Sequence, residues 1–122
     1  MSKERVVIVG ASDNPERYSN RALLLLRKHG HEVIPVHPKL AEIDGIKVVP
    51  DLSAITDKVD TVTMYVGAAI SSGLKDRLVV LKPKRVIFNP GAENGELVEA
   101  LQKAGIACEE ACTLVLLNTG QF

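Results

Sequence analysis

A short run of β-branched residues that ends in a glycine limits most strongly the folds open to this chain. Val6 to Val9 contains no polar residue, and Gly10-Ala11-Ser12 follows it directly. Continuous apolar runs of this length are typical of strands that are buried on both faces of a parallel sheet. We therefore expect a central strand, a tight turn and then a helix.

The segment after this turn has the signals of a helix start and a helix end. Residues 13 to 16 read Asp-Asn-Pro-Glu, which is turn chemistry, and Ser19 is the expected N-cap. Gly30 is expected to end the helix after three basic or imidazole side chains. The apolar residues of this helix are Ala22, Leu23, Leu25 and Leu26.

The alternation of strand and helix continues along the chain. Strands are expected at 32–36, where Pro35 interrupts the ladder and His37-Pro38 ends it, and at 59–66, 85–89 and 106–109. Asp44-Gly45 predicts a turn, 46–49 a short extended piece and 50–55 a short helix, partly 3₁₀. A helix after Gly67 is expected to bury Ile70, Leu74, Leu78 and Leu81. Residues 94–104 form the next expected helix, with Leu97, Leu101 and Ala104 inward, and 112–117 a final helical turn on the sheet.

This order predicts an α/β fold: a Rossmann-like, doubly wound, mostly parallel five-stranded sheet with helices on both faces. The length of 122 residues fits one domain, 1–122. Fifteen Lys and Arg balance fifteen Asp and Glu, so we expect no nucleic-acid partner and no membrane surface. The charged start leads into a strand rather than a secretion signal, which favours a cytoplasmic protein.

The two cysteines, Cys108 and Cys112, have no second pair and no histidine near them in sequence. Neither a zinc site nor a disulfide is expected, and small packing residues are the preferred interpretation. The stretch from Gly10 to Lys39 contains five basic residues and three acidic ones, and all three histidines. This local excess of positive charge suits a phosphorylated small molecule.

The carboxyl ends of the strands are where open α/β sheets bind ligands. This places residues 10–12, 36–39, 66–67 and 89–91 around one crevice. Gly10 would let the backbone approach a pyrophosphate, and the amides after it and the Ser12 hydroxyl could donate to the phosphate oxygens. The turn could equally just join strand to helix, because the Gly-x-Gly-x-x-Gly dinucleotide fingerprint is absent.

The end of the second strand argues against NAD. A carboxylate is needed there for the ribose 2′-hydroxyl, yet the chain reads Val36-His37-Pro38-Lys39, and Glu32 lies at the wrong end of the strand. A Val-His-Pro surface could receive an adenine, with Lys39 available for a ribose phosphate. Alternatively, the prolines only terminate the strand and Lys39 is solvated.

Four segments carry a family resemblance: VGASDNPERYSN, LRKHGHEVIPVHPK, NPGAEN and EACTLVLLNTGQF. They closely resemble the small stand-alone CoA-binding domain proteins, relatives of the N-terminal domain of the succinyl-CoA synthetase alpha subunit. The resemblance covers nearly the whole chain. The resemblance implies that the backbone of Gly10, Ala11 and Ser12 holds the CoA pyrophosphate, with Arg17, Tyr18 and Ser19 nearby. It implies that Val36, His37 and Pro38 flank the adenine and that Lys39 faces the 3′-phosphate. In the later turn it implies a role for Gly91.

The family often has asparagine where this chain has His37. Val66 and Gly67 are also expected to bind the cofactor, because they lie at the end of a strand. No catalytic residues are expected, because no nucleophile or acid–base pair is evident and one domain leaves no second one to supply them. The resulting hypothesis is a non-catalytic module that binds coenzyme A or an acyl-CoA as carrier, sensor or regulator. The alternatives are an NAD(P)- or nucleotide-dependent enzyme fragment, and a structural domain whose nucleotide site has decayed and which pairs with another protein through 114–117. A protein partner or a homo-oligomer is also among the expectations.

Overall fold

Five parallel strands form the central sheet of the protein, which we describe from a computed structural model over residues 3–122. The strands of the sheet are β1 Arg5–Val9, β2 Glu32–Val36, β5 Thr61–Met64, β6 Arg85–Phe88 and β7 Ala107–Glu110. Their spatial order is β2-β1-β5-β6-β7, so the second strand along the chain lies at one edge and the first lies next to it. Two short strands, β3 Glu42–Ile43 and β4 Ile46–Lys47, form a separate hairpin.

The β-branched run at the start of the chain is the buried centre of this sheet. Val6, Val7 and Ile8 are fully buried, and β1 pairs in parallel with β2 on one side and with β5 on the other. Such a strand needs apolar side chains on both faces, which explains the absence of polar alternation in its sequence. The expected central strand is therefore confirmed.

Helices cover both faces of the sheet, in two layers. On one face α1 (Tyr18–Lys28) and α5 (Thr113–Asn118) pack against alternate residues of β1, such as Ile8. On the other face the layer consists of α3 (Lys75–Leu81), α4 (Gly95–Lys103) and a 3₁₀ turn at Leu52–Ala54. The short helix α2, Ala68–Ser71, follows β5. The α/β, Rossmann-like, doubly wound fold is confirmed.

Two strands differ from their sequence patterns. The strand expected at 59–66 is shorter, because Val59 and Asp60 lie before β5 while Tyr65 and Val66 follow its end. The Tyr65 amide still donates to the Val9 carbonyl at 2.9 Å. Pro35 does not break β2, since β2 is an edge strand in which proline removes no inward ladder bond, and its carbonyl accepts the amide hydrogen of Val49 at 3.0 Å. Proline is tolerated for the same reason in edge strands generally.

Two helix expectations are corrected. Ser19 is not the N-cap of α1: Arg17 holds that position, and Ser19 is a buried residue of the first helical turn. The residues after Pro15 form a turn in which the Arg17 amide donates to the Asn14 carbonyl, so the helix starts at Tyr18. Ile70 does not face inward with Leu78. A 3₁₀ segment, Ser72–Leu74, separates α2 from α3 and shifts the helical phase, which leaves Ile70 61% exposed.

Asp44 and Gly45 form the turn of the β3–β4 hairpin, as expected, with φ angles of 49° and 78°. Positive φ at both central residues is what a two-residue hairpin turn of type I′ requires. This hairpin lies beyond the end of β2, and Val49 after it bridges to Val36. Across residues 3–122, we find no helix with the length and apolarity that crossing a membrane would demand.

Candidate functional site

A groove opens at the carboxyl edge of the sheet, between the ends of β1, β2 and β5. The connections from β1 and β5 leave on opposite faces of the sheet, and such a switch point is where doubly wound folds bind ligands. The groove has a volume of about 560 Å³, within the range of small-ligand sites of roughly 300–1,000 Å³. We call it the carboxyl-edge groove; it is lined by Gly10, Ala11, Ser12, Arg17, Tyr18, Ser19, His37, Pro38, Tyr65, Val66, Ile70 and Pro90.

Gly10 has a structural reason for its place at the end of β1. Its φ is +86°, which L side chains rarely adopt, and a Cβ there would lie 2.8 Å from Cγ1 of Val66 and 3.3 Å from the carbonyl carbon of Tyr65. The space next to Gly10 is therefore filled by the end of β5. Gly10 thus lets β1 and β5 end close together, and its role in the approach of a pyrophosphate stays a prediction.

Of the backbone amides that follow Gly10, one donates a hydrogen bond within the protein and others do not. The Ala11 amide donates to the Val36 carbonyl at 3.2 Å, which ties the turn to β2 and leaves that amide unable to serve a ligand. Within residues 3–122 the amides of Ser12 and Asp13 have no hydrogen-bond acceptor. The amides of Tyr18 and Ser19, at the start of α1, also have no acceptor there, because Arg17 provides no side-chain cap.

Side-chain hydrogen bonds hold the turn in shape. The Asn14 amide donates to Oγ of Ser12 at 3.0 Å, and Nδ2 of the buried Asn20 donates to the Ser12 carbonyl at 2.8 Å. Since Oγ of Ser12 accepts the Asn14 amide, its own hydroxyl hydrogen stays free to point into the groove. The first bond holds the turn locally, and the second ties it to α1.

The electrostatics of the groove favour an anion. Among the described residues that line it, Arg17 is the one charged side chain, and it is exposed. The amino end of the 11-residue helix α1 contributes partial positive charge at the same place. Tyr18 is 66% exposed, and the Arg21 guanidinium lies 5.6 Å from its ring centre. Charge and donors therefore converge on one end of the groove.

The end of β2 forms the opposite end of the groove. His37 and Pro38 line it, whereas the side chain of Val36 is buried in the core and Lys39 is exposed outside the lining. Nδ1 of His37 accepts the amide hydrogens of Lys39 and Leu40, each at 3.0 Å. The imidazole therefore caps a local turn, as an asparagine side chain does in an Asx turn.

Three lining residues were not among the predicted cofactor-binding residues: Tyr65, Ile70 and Pro90, although the segment 89–91 was expected at the crevice. Tyr65 follows β5, whereas the sequence predicted a strand that extended to Val66. Ile70 was placed in the core by helical spacing. Besides Val36 and Lys39, two more predicted residues lie outside the lining. Gly67 is the exposed N-cap of α2. Gly91, with φ of +91°, follows Pro90 and donates its amide hydrogen to Oε1 of Glu93 at 2.9 Å.

Beneath the groove a buried polar network joins β5, β6 and α5. Nδ2 of Asn89 donates to Oγ1 of Thr63 at 2.7 Å and to the Met64 carbonyl at 2.9 Å. Oδ1 of Asn89 accepts the Thr113 amide at 2.8 Å, and the Thr63 and Thr113 hydroxyl oxygens lie 2.8 Å apart. All four groups are buried, so the network fixes the start of α5 against the sheet.

The Tyr65 hydroxyl is buried beside this network. Burial raises the pKa of Tyr65 to about 12, and the nearby hydroxyls of Thr113 and Thr63 offset only part of that rise. Its Oη makes no hydrogen bond of good geometry within residues 3–122. The phenol therefore stays protonated at neutral pH and presents its ring to the groove rather than a base.

The two cysteines differ in position. Burial raises the pKa of the Cys108 thiol, Sγ lies 3.8 Å from the Ile106 carbonyl, and this residue of β7 packs against the core. Cys112 is the N-cap residue of α5 and does not line the groove. Across residues 3–122, no three His, Cys, Asp or Glu side chains come together in a cluster suited to a metal ion.

Glu32 lies at the other edge of the sheet, as the sequence predicts. Its Oε2 accepts a hydrogen bond from Nε of Arg5 at 2.7 Å, at the amino ends of β1 and β2. This ion pair raises the pKa of Arg5. No carboxylate lines the groove among the described residues, so the acid that would hold a dinucleotide ribose is missing there.

The family model of the CoA binding domain matches residues 4–118. The chain belongs to the CoA binding domain family. A relative in Bacillus subtilis (strain 168), the uncharacterized protein YneT, is 28% identical over 102 residues, which is 84% of this chain and 76% of YneT. The resemblance drawn from the Gly10 turn and the end of β2 is thereby confirmed at the level of the family.

Solved structures share the fold. A crystal structure of an uncharacterized protein is 41% identical, with a TM-score of 0.94 and coverage of 100% of both chains. The dinucleotide forming acetyl-coenzyme A synthetase 1 of Ca. Korarchaeum cryptofilum is 24% identical, with a TM-score of 0.74. That match covers 86% of this CoA-binding domain and 25% of the synthetase, and it shows a shared fold.

Proposed function

We propose that this domain binds coenzyme A or an acyl-CoA in the carboxyl-edge groove without catalysing a reaction itself, as a carrier, sensor or regulatory module. The observation that carries the proposal is the group of unused amides of Ser12, Asp13, Tyr18 and Ser19 beside Arg17. Backbone donors at a helix start, together with one cation, are the chemistry that receives a diphosphate. Membership of the CoA binding domain family supports the choice of ligand.

The rest of the groove fits the two arms of such a ligand. His37 and Pro38 present a flat surface at the end of β2, which suits the adenine ring. The apolar side chains Val66 and Ile70, with Pro90, extend away from the helix start on the other side and suit the pantetheine arm. With the diphosphate between them, the two arms run in opposite directions along the groove.

Two observations support a binding module over an enzyme. Nδ1 of His37 already accepts two amide hydrogens, so this imidazole is not placed to take a proton through that atom. Tyr65, with a pKa raised to about 12 by burial, holds its proton at neutral pH. Neither His37 through Nδ1 nor Tyr65 is therefore placed to accept a proton as a general base.

Calorimetry with four ligands tests the proposal: coenzyme A, acetyl-CoA, dephospho-CoA and NAD. We expect binding of coenzyme A and acetyl-CoA, weaker binding of dephospho-CoA and none of NAD. Incubation with acetyl-CoA should release no free thiol above the buffer rate. Binding of NAD in preference to CoA would instead favour a nucleotide-dependent enzyme fragment, and binding of none of the four would overturn the proposal.

Substituting Arg17 by Gln separates the groove from general charge effects. We expect R17Q to weaken coenzyme A binding by about threefold to tenfold, because a charge-assisted contact to the diphosphate is lost. Arg27 lies in the last turn of the same helix and is also exposed, so R27Q changes the net charge equally and serves as the matched control. Equal losses in both variants would contradict a site at the helix start.

A further inference from the structure

The turn after β2 fixes the hydrogen-bonding state of His37. Nδ1 accepts the amide hydrogens of Lys39 and Leu40, both at 3.0 Å. An accepting ring nitrogen carries no proton, so the neutral imidazole has its proton on Nε2. The hydrogen-bond pattern thus assigns one tautomer to this ring, and the two amides hold the ring in one orientation.

Nε2 lies on the edge of the ring away from these two amides. His37 is half-buried and lines the carboxyl-edge groove, and no acceptor within residues 3–122 reaches Nε2. The ring therefore offers the groove a single N–H donor whose direction is set by the backbone. Nδ1 alone is enough to cap the turn, so the Nε2–H group remains available for a ligand.

The position of this donor relates it to the ribose of a bound nucleotide. In doubly wound folds the residue that ends the second strand contacts the ribose, through a carboxylate where the ribose hydroxyl is free or through a cation where it is phosphorylated. Here an N–H donor stands at that place, the exposed Lys39 follows two residues later, and Glu32 is at the opposite edge. The end of β2 thus presents donors and positive charge.

We propose that His37 determines specificity for a ribose phosphate, by donating a hydrogen bond from Nε2 to a phosphate oxygen at the adenosine end of the groove. The inference rests on the proposed binding of coenzyme A and adds the residue that distinguishes it from its dephosphorylated form. Lys39 contributes charge from outside the groove, whereas His37 provides the oriented contact.

The test compares coenzyme A with dephospho-CoA in wild type and in His37→Asn. Asparagine can still accept the amides of the turn but is too short to reach as far as Nε2 does. We expect wild type to prefer coenzyme A, and H37N to lower the ratio of the two affinities by about tenfold while dephospho-CoA binding changes less than about twofold. An unchanged ratio, or an equal loss for both ligands, would overturn the proposal.

A measurement on the unmodified protein covers the case in which the variant does not fold. The ¹⁵N shifts of the His37 ring report which nitrogen carries the proton. We expect the Nε2–H form in the free protein, and a shift of the Nε2 resonance on adding coenzyme A but not dephospho-CoA. The Nδ1–H form, or equal shifts with both, would contradict the inference. Failure of wild type to bind either ligand would instead refute the proposed function.

Discussion

Replacing Asn89 by Ala removes the residue that joins β5, β6 and α5 beneath the groove. The side chain makes three hydrogen bonds, to Thr63, to Met64 and from Thr113, and is only 2% exposed. Three such bonds at about 1 kcal/mol each amount to about 3 kcal/mol. The Thr113 amide would in addition be left buried without a partner, so we expect a loss of about 3–5 kcal/mol in the free energy of unfolding.

Urea unfolding followed by far-ultraviolet circular dichroism measures this loss, since the chain has no tryptophan for fluorescence. Asn118, exposed in the last turn of α5, provides the control: N118A should change the free energy of unfolding by less than about 0.5 kcal/mol. A loss below about 1 kcal/mol for N89A, or equal losses in both variants, would refute the role of the network.

Two further predictions concern Gly10 and His31. Gly10→Ala should lower the free energy of unfolding by about 1–3 kcal/mol, because Gly10 has a positive φ and an added Cβ would press on Val66. In urea unfolding, the added change V66A should recover part of this loss. Strictly additive losses from the two changes would contradict the close packing. Burial lowers the pKa of His31 below 6.5, so the unfolded chain binds more protons just below that pH and stability falls as the solution is acidified. In His31→Asn the amide oxygen can still accept the Glu4 amide hydrogen. This variant should show a smaller difference in the free energy of unfolding between about pH 7.5 and pH 5.5 than wild type. An equal difference in both proteins would assign the pH dependence to other groups.

The order of strands and helices could be predicted because its signals are local. The run from Val6 to Val9 is apolar on both faces, and the Asp44-Gly45 pair has the chemistry of a tight turn. The end of β5 could not be placed as well. Tyr65 and Val66 continue the strand's composition, and only the close approach of Gly10 shows why the chain turns there.

The candidate site was predictable in place but not in detail. Parallel topology brings the ends of β1, β2 and β5 together whatever their side chains, so the residues after Gly10 and Val36 were expected at one crevice. Which amides remain unused depends on tertiary contacts. The Ala11 amide is taken by Val36, a pairing between residues 25 positions apart that no local pattern reveals.

Asn89 illustrates the same limit for polar residues. It was expected at the end of the strand 85–89, but its burial and its bonds to Thr63 and Thr113 were not predicted. A buried amide needs its partners supplied by the fold, and these partners lie 26 and 24 residues away along the chain. Sequence patterns report exposure well for charged residues and poorly for such satisfied polar ones.

The most direct test of the account is an NMR titration of ¹⁵N-labelled protein with coenzyme A. The account predicts that the largest amide shifts occur at Ser12, Asp13, Tyr18 and Ser19, whose N–H groups have no acceptor within residues 3–122. The Ala11 amide, already bonded to Val36, should move less. Largest shifts at the amino edge of the sheet, or saturation with coenzyme A that leaves these four amides unmoved, would contradict it.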